Sequence, residues 1–279
     1  MNSREFIEAA LREDVGAGDL STLACIAPAA TGRAILKIKE DGLLAGVALA
    51  QEIFHYLEPQ ATFTLYKHDG DSVHAGETAF EVSASVHTIL KAERLVLNCM
   101  QRMSGIATLT SLYVAAVKGH KARVLDTRKT TPLFRMCEKE AVRIGGGRNH
   151  RMGLYDMVML KDNHIDFCGG IEQAIERTNT YLRTTGQNVK IEIETRSIDD
   201  VRRVLAVGQV HRIMLDNYTP TQLAEAVTLI NGKYETEASG GITLENIAEY
   251  AATGVDLISV GAITHHAVSL DLSLKAQLT

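Results

Sequence analysis

Cysteine is scarce in this 279-residue chain: Cys25, Cys99, Cys137 and Cys168 are scattered without a Cys-x-x-Cys pair. That argues against a zinc site or a disulfide framework and for reduced thiols filling core space. No apolar run approaches the roughly 18 to 20 residues of a membrane helix, so no membrane partner is expected. The opening Met1-Asn2-Ser3-Arg4-Glu5-Phe6-Ile7-Glu8 is too acidic for a signal peptide, which points to the cytoplasm. The histidines lack His-x-x-x-His and His-Glu-x-x-His spacing, so His150, His164, His265 and His266 read as hydrogen-bonding groups before metal ligands. Basic charge is not in excess either. With 29 Lys and Arg against 34 Asp and Glu, the net charge is −5, unlike a nucleic-acid binder with an extended basic face.

What is present is a basic island. From Lys121 to Lys161 ten Lys and Arg face four acids, a local balance of +6, which leaves the remainder near −11. Such an island attracts a compact polyanion. Its cations sit at informative places: Arg128 and Lys129 come shortly after Val124-Leu125, and Lys161 directly after Met157 to Leu160, short apolar runs of the kind that form strands buried on both faces. At 46% hydrophobic, the chain suits one large α/β domain, or one large and one small.

From about Ala122 the pattern alternates. Strands are expected over Ala122 to Asp126, Met157 to Lys161, Val189 to Glu194, Arg212 to Asp216, Tyr234 to Ala238 and Leu257 to Val260. Helices are expected over Gly170 to Arg183, Ser197 to Ala206, Thr219 to Ile230 and Thr243 to Thr253, with Ser197 and Thr243 as N-caps and Gly208, Gly232 and Gly254 as stops. Repeated βα units mean a parallel sheet, and polar residues spread over the ends of successive strands favour a barrel over an open sheet. The first hundred residues differ: Arg33 to Lys39 and Thr62 to Lys67 alternate like antiparallel strands. A long helix over Thr88 to Val117 follows, with Arg94, Asn98 and Arg102 on one face and Gly105 and Gly119 as break points. The expected fold class is α/β, an N-terminal α/β sandwich domain over 1–105, rejoined by 267–279, plus an incomplete TIM-like α/β barrel over 106–266.

In a parallel barrel the strand ends converge on one mouth. They supply Asp126, Arg128 and Lys129; Lys161 to His164; Glu192 and Glu194; Asp216 and Asn217; Ser239, Gly240 and Gly241; and Gly261. Glu194 and Asp216 need cations, either Lys161 and the arginines or a hard divalent metal held partly through water. Ser239-Gly240-Gly241 and Gly261, after the last two strands, let backbone N–H groups approach a phosphate. Arg102, Arg128 and Arg151, with their planar forks, suit a dicarboxylate.

Together Thr127-Arg128-Lys129-Thr130-Thr131-Pro132, Asn149-His150-Arg151-Met152-Gly153, Lys161-Asp162-Asn163-His164 and Leu215-Asp216-Asn217 resemble the quinolinate phosphoribosyltransferase family. The likeness extends through Gln101 to Thr108, Ala238 to Ile242 and Ser259 to His265, almost the whole chain. It implies transfer of a phosphoribosyl group from phosphoribosyl pyrophosphate to quinolinate with loss of CO2, in NAD biosynthesis. It also implies a homodimer or hexamer in which Arg102 enters the neighbouring subunit's site. By the same resemblance Arg102, Thr127, Arg128, Lys129, His150, Arg151 and Lys161 hold quinolinate. Lys129, Lys161, Glu194 and Asp216 are then catalytic and bind phosphoribosyl pyrophosphate, with Mg2+ on Glu194 and Asp216, while Ser239, Gly240, Gly241 and Gly261 cradle its ribose phosphate. Leu133-Phe134 departs from the family pattern and bears on loop shape. The nearest rival is a paralogue associated with molybdenum transport, against which Arg151 and Lys161 argue; a rival from another class is a non-catalytic phosphate-ligand sensor, separated from an enzyme by binding without turnover.

Overall fold

The computed structural model describes residues 2–277, which divide into two compact units. Within the described residues one comprises 2–111, 130–146 and 263–277, the other Leu112–Lys129 and Gly147–Ala262.

The first unit holds a four-stranded antiparallel sheet in the order Leu272–Gln277, Thr31–Ile38, Thr78–Ser85, Thr62–Leu65. Ala34, Leu36 and Ile38 are buried while their neighbours are not, the period-two pattern of a sheet with one face on the core. Around it lie the helices Ser3–Val15, opened by an Asn2/Glu5 capping box, Val47–Leu57 and Arg135–Ile144. The sequence reading does not anticipate these three. The long helix runs over Val86–Ala116 and does not break at Gly105. A β-carbon at residue 105 would collide with the Val268 carbonyl, so this glycine admits a crossing backbone instead of stopping the helix.

The second unit holds six parallel strands in the order Arg123–Leu125, Leu257–Ser259, Glu235–Ser239, Arg212–Asp216, Lys190–Thr195, Met157–Leu160. Among the described residues no pairing joins the two edge strands, so the barrel is incomplete. Ile171–Thr185, Ile198–Val207, Pro220–Ile230 and Ile247–Ala252 supply the connecting helices. Ser197 caps its helix by accepting the Asp200 N–H. Thr243 does not act as an N-cap: its own N–H donates to Asn246 Oδ1 at 2.8 Å, and the helix starts at Ile247. No helix of the described residues is long and apolar enough to cross a membrane.

Candidate active site

The parallel register stacks side chains in layers on one face of the six-stranded sheet. Glu192 lies opposite Arg212, and Arg212 opposite Glu235. Two residues further along, Glu194 pairs with Met214 and Met214 with Glu237, and the outermost layer sets Asp216 beside Ser239. Strand side chains alternate faces, so all of these project the same way. The strand ends therefore carry Glu194 and Asp216 above a deeper charged layer.

A loop reaches that deeper layer. Arg148 N–H donates to the Val124 carbonyl at 2.8 Å and Asp126 N–H to the Arg148 carbonyl at 3.1 Å. Fully buried Asp126 accepts the His150 N–H at 2.7 Å. The His150 ring thus arrives with Nε2 at 2.9 Å from Glu192 Oε2 and 3.4 Å from Glu237 Oε2. Arg212 Nη1 donates to Glu237 Oε2 at 2.8 Å and lies 3.6 Å from Glu192 Oε2. Both carboxylates are fully buried, where an uncompensated charge costs several kcal/mol.

Burial disfavours a charged His150 ring, whereas hydrogen bonding and attraction to Glu192 and Glu237 strengthen its hold on the Nε2 proton. Burial, then repulsion from Glu237, pushes Glu192 up. Burial also works against ionised Glu237, yet His150 and Arg212 hold it below the ordinary range. His150 Nδ1 receives the Arg151 N–H at 2.6 Å. That nitrogen therefore carries the lone pair, and the ring proton sits on Nε2.

The outer layer is cationic as well as acidic. Arg151 is 9% exposed, with Nη1 donating to the Met157 carbonyl at 3.3 Å and Nη2 lying 3.5 Å from Met159 Sδ. Burial, then repulsion from Arg128, lowers its pKa. Asp156 fixes the turn beyond it by accepting the Met152 and Gly153 N–H groups at 2.7 and 2.8 Å. Burial, then Asp216, raises the Glu194 pKa, with Lys161 opposing them. Lys161 is exposed and ends the strand Met157–Leu160, and exposed Lys129 donates its N–H to Thr127 Oγ1 at 3.0 Å. Arg128 is thus brought to Arg151, and Glu194 to Asp216 and Lys161.

At the neighbouring strand ends, Asn217 N–H donates to the Ser239 carbonyl at 2.8 Å, and Gly240 and Gly241 have φ of 93° and 64°. Gly261 follows the strand Leu257–Ser259, and Val260 N–H donates to the Leu125 carbonyl at 2.9 Å. Arg102 lies in the other unit and is anchored within its own chain. Its Nε donates to Glu138 Oε1 at 3.0 Å, Nη1 to the Ala267 carbonyl at 2.8 Å and Nη2 to the Thr264 carbonyl at 2.5 Å. Fully buried Glu138 also accepts Thr131 N–H and Oγ1–H, at 3.0 and 2.9 Å.

Sequence reasoning does not reach Arg212, Glu237 or Glu138. A signal for the first two exists: a strand expected to be buried on both faces has no place for a lone charge, so charges inside adjacent strands imply one another.

Comparisons with known proteins agree with this geometry. The quinolinate phosphoribosyl transferase C-terminal domain family matches residues 106–275 and the corresponding N-terminal domain family matches residues 19–104. The chain is 46% identical over 284 residues to the chloroplastic nicotinate-nucleotide pyrophosphorylase [carboxylating] of Arabidopsis thaliana, covering 96% of this chain and 81% of that protein. It is 41% identical to the probable nicotinate-nucleotide pyrophosphorylase [carboxylating] of Bacillus subtilis, covering 96% and 91%. The solved structure of NadC from Streptococcus pyogenes superposes with a TM-score of 0.91 at 40% identity, covering 98% of this chain and 95% of that one. With both domain families matched in order across nearly its whole length, the chain belongs to the quinolinate phosphoribosyltransferase family.

Proposed function

We propose that the chain transfers a phosphoribosyl group from phosphoribosyl pyrophosphate to quinolinate, releasing pyrophosphate and CO2 and forming nicotinate mononucleotide for NAD biosynthesis. The observation that carries this reading is the Arg128–Arg151 pair. Burial and mutual repulsion both disfavour placing these guanidiniums together, and an arriving dicarboxylate reverses that balance by offering each a two-point partner. His150 belongs to the same loop, and Arg102, given in trans within a homodimer or hexamer, completes the dicarboxylate set.

The rest of the mouth suits the second substrate. Lys129 and Lys161 offset the mutual repulsion of two polyanions, about 4 kcal/mol per close charge pair at an effective dielectric near 20. Glu194 and Asp216 fit a divalent cation, because burial and repulsion from Asp216 raise the Glu194 pKa even with Lys161 and Arg196 opposing them. Magnesium held there, partly through water, supplies charge neutralisation for the departing pyrophosphate. The backbone at Ser239, Gly240, Gly241 and Gly261 cradles the ribose phosphate.

The pyridine nitrogen lone pair forms the bond to ribose C1 as the C1–oxygen bond to pyrophosphate breaks. As CO2 then leaves, the electron pair of the broken carbon–carbon bond stays on the adjacent ring carbon, stabilised by the positive charge of the neighbouring nitrogen, and that carbon takes up a proton. Most of the rate comes from positioning and fixed charge. Calorimetric titration with quinolinate, with and without an inert phosphoribosyl pyrophosphate analogue, tests the reading. It predicts saturable binding that Arg151→Ala weakens by about tenfold or more, and wild-type protein that binds no quinolinate under either condition overturns it.

A further inference from the structure

The buried layer beneath the mouth contains three groups whose ligand atoms lie within 4.8 Å of one another and could hold a metal: His150, Glu192 and Glu237. Arg212 already takes the cation's place. Its Nη1 lies 2.8 Å from Glu237 Oε2, 3.6 Å from Glu192 Oε2 and 3.5 Å from His150 Nε2, the same atoms a metal would use. The guanidinium is itself fixed from outside, its Nε donating to Glu235 Oε2 at 2.8 Å. Four side chains from a loop and three adjacent strands therefore close on one another, and the ring they grip belongs to the residue just before Arg151.

We propose that Glu192, Glu237 and Arg212 are positioning residues: they lock the His150 ring in the Nε2–H tautomer, so that Nδ1 must accept the Arg151 N–H and the backbone carrying Arg151 is held to one orientation. The ring has two distinct nitrogens, and the partner of one dictates what the other can do. Glu192 Oε2 lies 2.9 Å from Nε2 and Glu237 Oε2 3.4 Å, and ionised carboxylates can only accept, so a proton on that nitrogen is the arrangement they favour. Nδ1 is left to accept, and it meets the Arg151 amide at 2.6 Å. Asp126, accepting the His150 N–H at 2.7 Å, ties the other side of the same residue. None of the three positioning residues lies at the C-terminal end of its strand, so their effect on substrate passes through His150 and the loop. The inference rests on the reading that Arg151 holds quinolinate.

The test compares Glu192→Leu, which removes the acceptor facing Nε2, with Glu192→Gln, which keeps it. Glu192→Leu is expected to weaken quinolinate binding by about tenfold or more, with the KM for phosphoribosyl pyrophosphate nearly unchanged. Glu192→Gln is expected to restore quinolinate affinity to within about threefold. A merely structural role would depress both substrates together. The clamp is overturned if folded Glu192→Leu binds quinolinate like the wild type, or if both variants lose both substrates equally. Should Glu192→Leu fail to fold, nitrogen-15 NMR of histidine-labelled wild type decides: His150 with its proton on Nε2 alone supports the clamp, and a proton on Nδ1, alone or together with one on Nε2, overturns it. That spectrum needs no substrate, so a wild type that never binds quinolinate removes the functional reading separately from the tautomer.

Discussion

Asn217 fills the space into which a β-carbon on Gly240 would project, its Oδ1 in the collision path and its Cγ 2.7 Å from that atom. The two residues follow adjacent strands, and Asn217 itself has a left-handed backbone, φ 58°, so neither side can yield. Gly240 also has φ of 93°, a conformation costing a residue with a side chain roughly 1–3 kcal/mol. Gly240→Ala should lower stability by about 2 kcal/mol and raise the KM for phosphoribosyl pyrophosphate more than that for quinolinate. Thermal unfolding together with two-substrate kinetics checks both parts.

Arg102 compensates Glu138, a carboxylate with no solvent exposure. Arg102→Ala leaves that charge buried without its guanidinium, an expected loss of about 3 kcal/mol. The double variant Arg102→Met with Glu138→Gln should recover much of the loss, because no ion is then left uncompensated. Chemical denaturation of the two singles and the double measures the coupling. Activity lost in Arg102→Ala but not regained in the double separates a role toward substrate from a role in folding.

The thiols give a pH dependence with a definite sign. Burial, then Cys137, raises the Cys99 pKa; burial, then Glu138 and Glu52, pushes Cys137 up to about 12. In the unfolded chain both ionise near the ordinary value of 9, so below that pH folded and unfolded states hold the same thiol protons. Above it only the unfolded chain releases them, and each thiol removes about 1.4 kcal/mol of stability per pH unit. Unfolding temperature should therefore fall steeply above pH 9. At pH 8 exposed Cys25 should react with a thiol reagent while Cys99 and Cys137 wait for unfolding.

Glu194→Gln keeps the shape of the mouth and removes one of two crowded acidic groups. It should raise the magnesium concentration needed for half-maximal turnover by about tenfold or more, leaving quinolinate affinity in calorimetry close to wild type. Metal titration of initial rates is the check, and an unchanged magnesium requirement removes Glu194 from the metal site.

Much of this was legible in the sequence because strands buried on both faces leave a periodic apolar trace. All six parallel strands lie within two residues of their expected bounds at each end, down to Arg212–Asp216. The cations after those strands were legible for the same reason, since Lys161 directly follows one apolar run and Arg128 lies three residues beyond another. Helix Arg135–Ile144 was not, because Arg135, Glu138, Lys139 and Glu140 make it read as a charged loop, although Glu138 and Lys139 are fully buried. The His150 layer was hidden differently. Glu192, Arg212 and Glu237 are far apart in sequence, and only strand register brings them together. Gly105 shows the limit of local rules, a helix glycine whose reason lies in Val268.

Nicotinate mononucleotide formation by the purified chain, followed with quinolinate, phosphoribosyl pyrophosphate and magnesium, tests the account most directly. Wild type should release one CO2 and one pyrophosphate per product, and Arg151→Ala should lose about a hundredfold or more in kcat/KM for quinolinate. No product from the wild type, or undiminished turnover by Arg151→Ala, would contradict it.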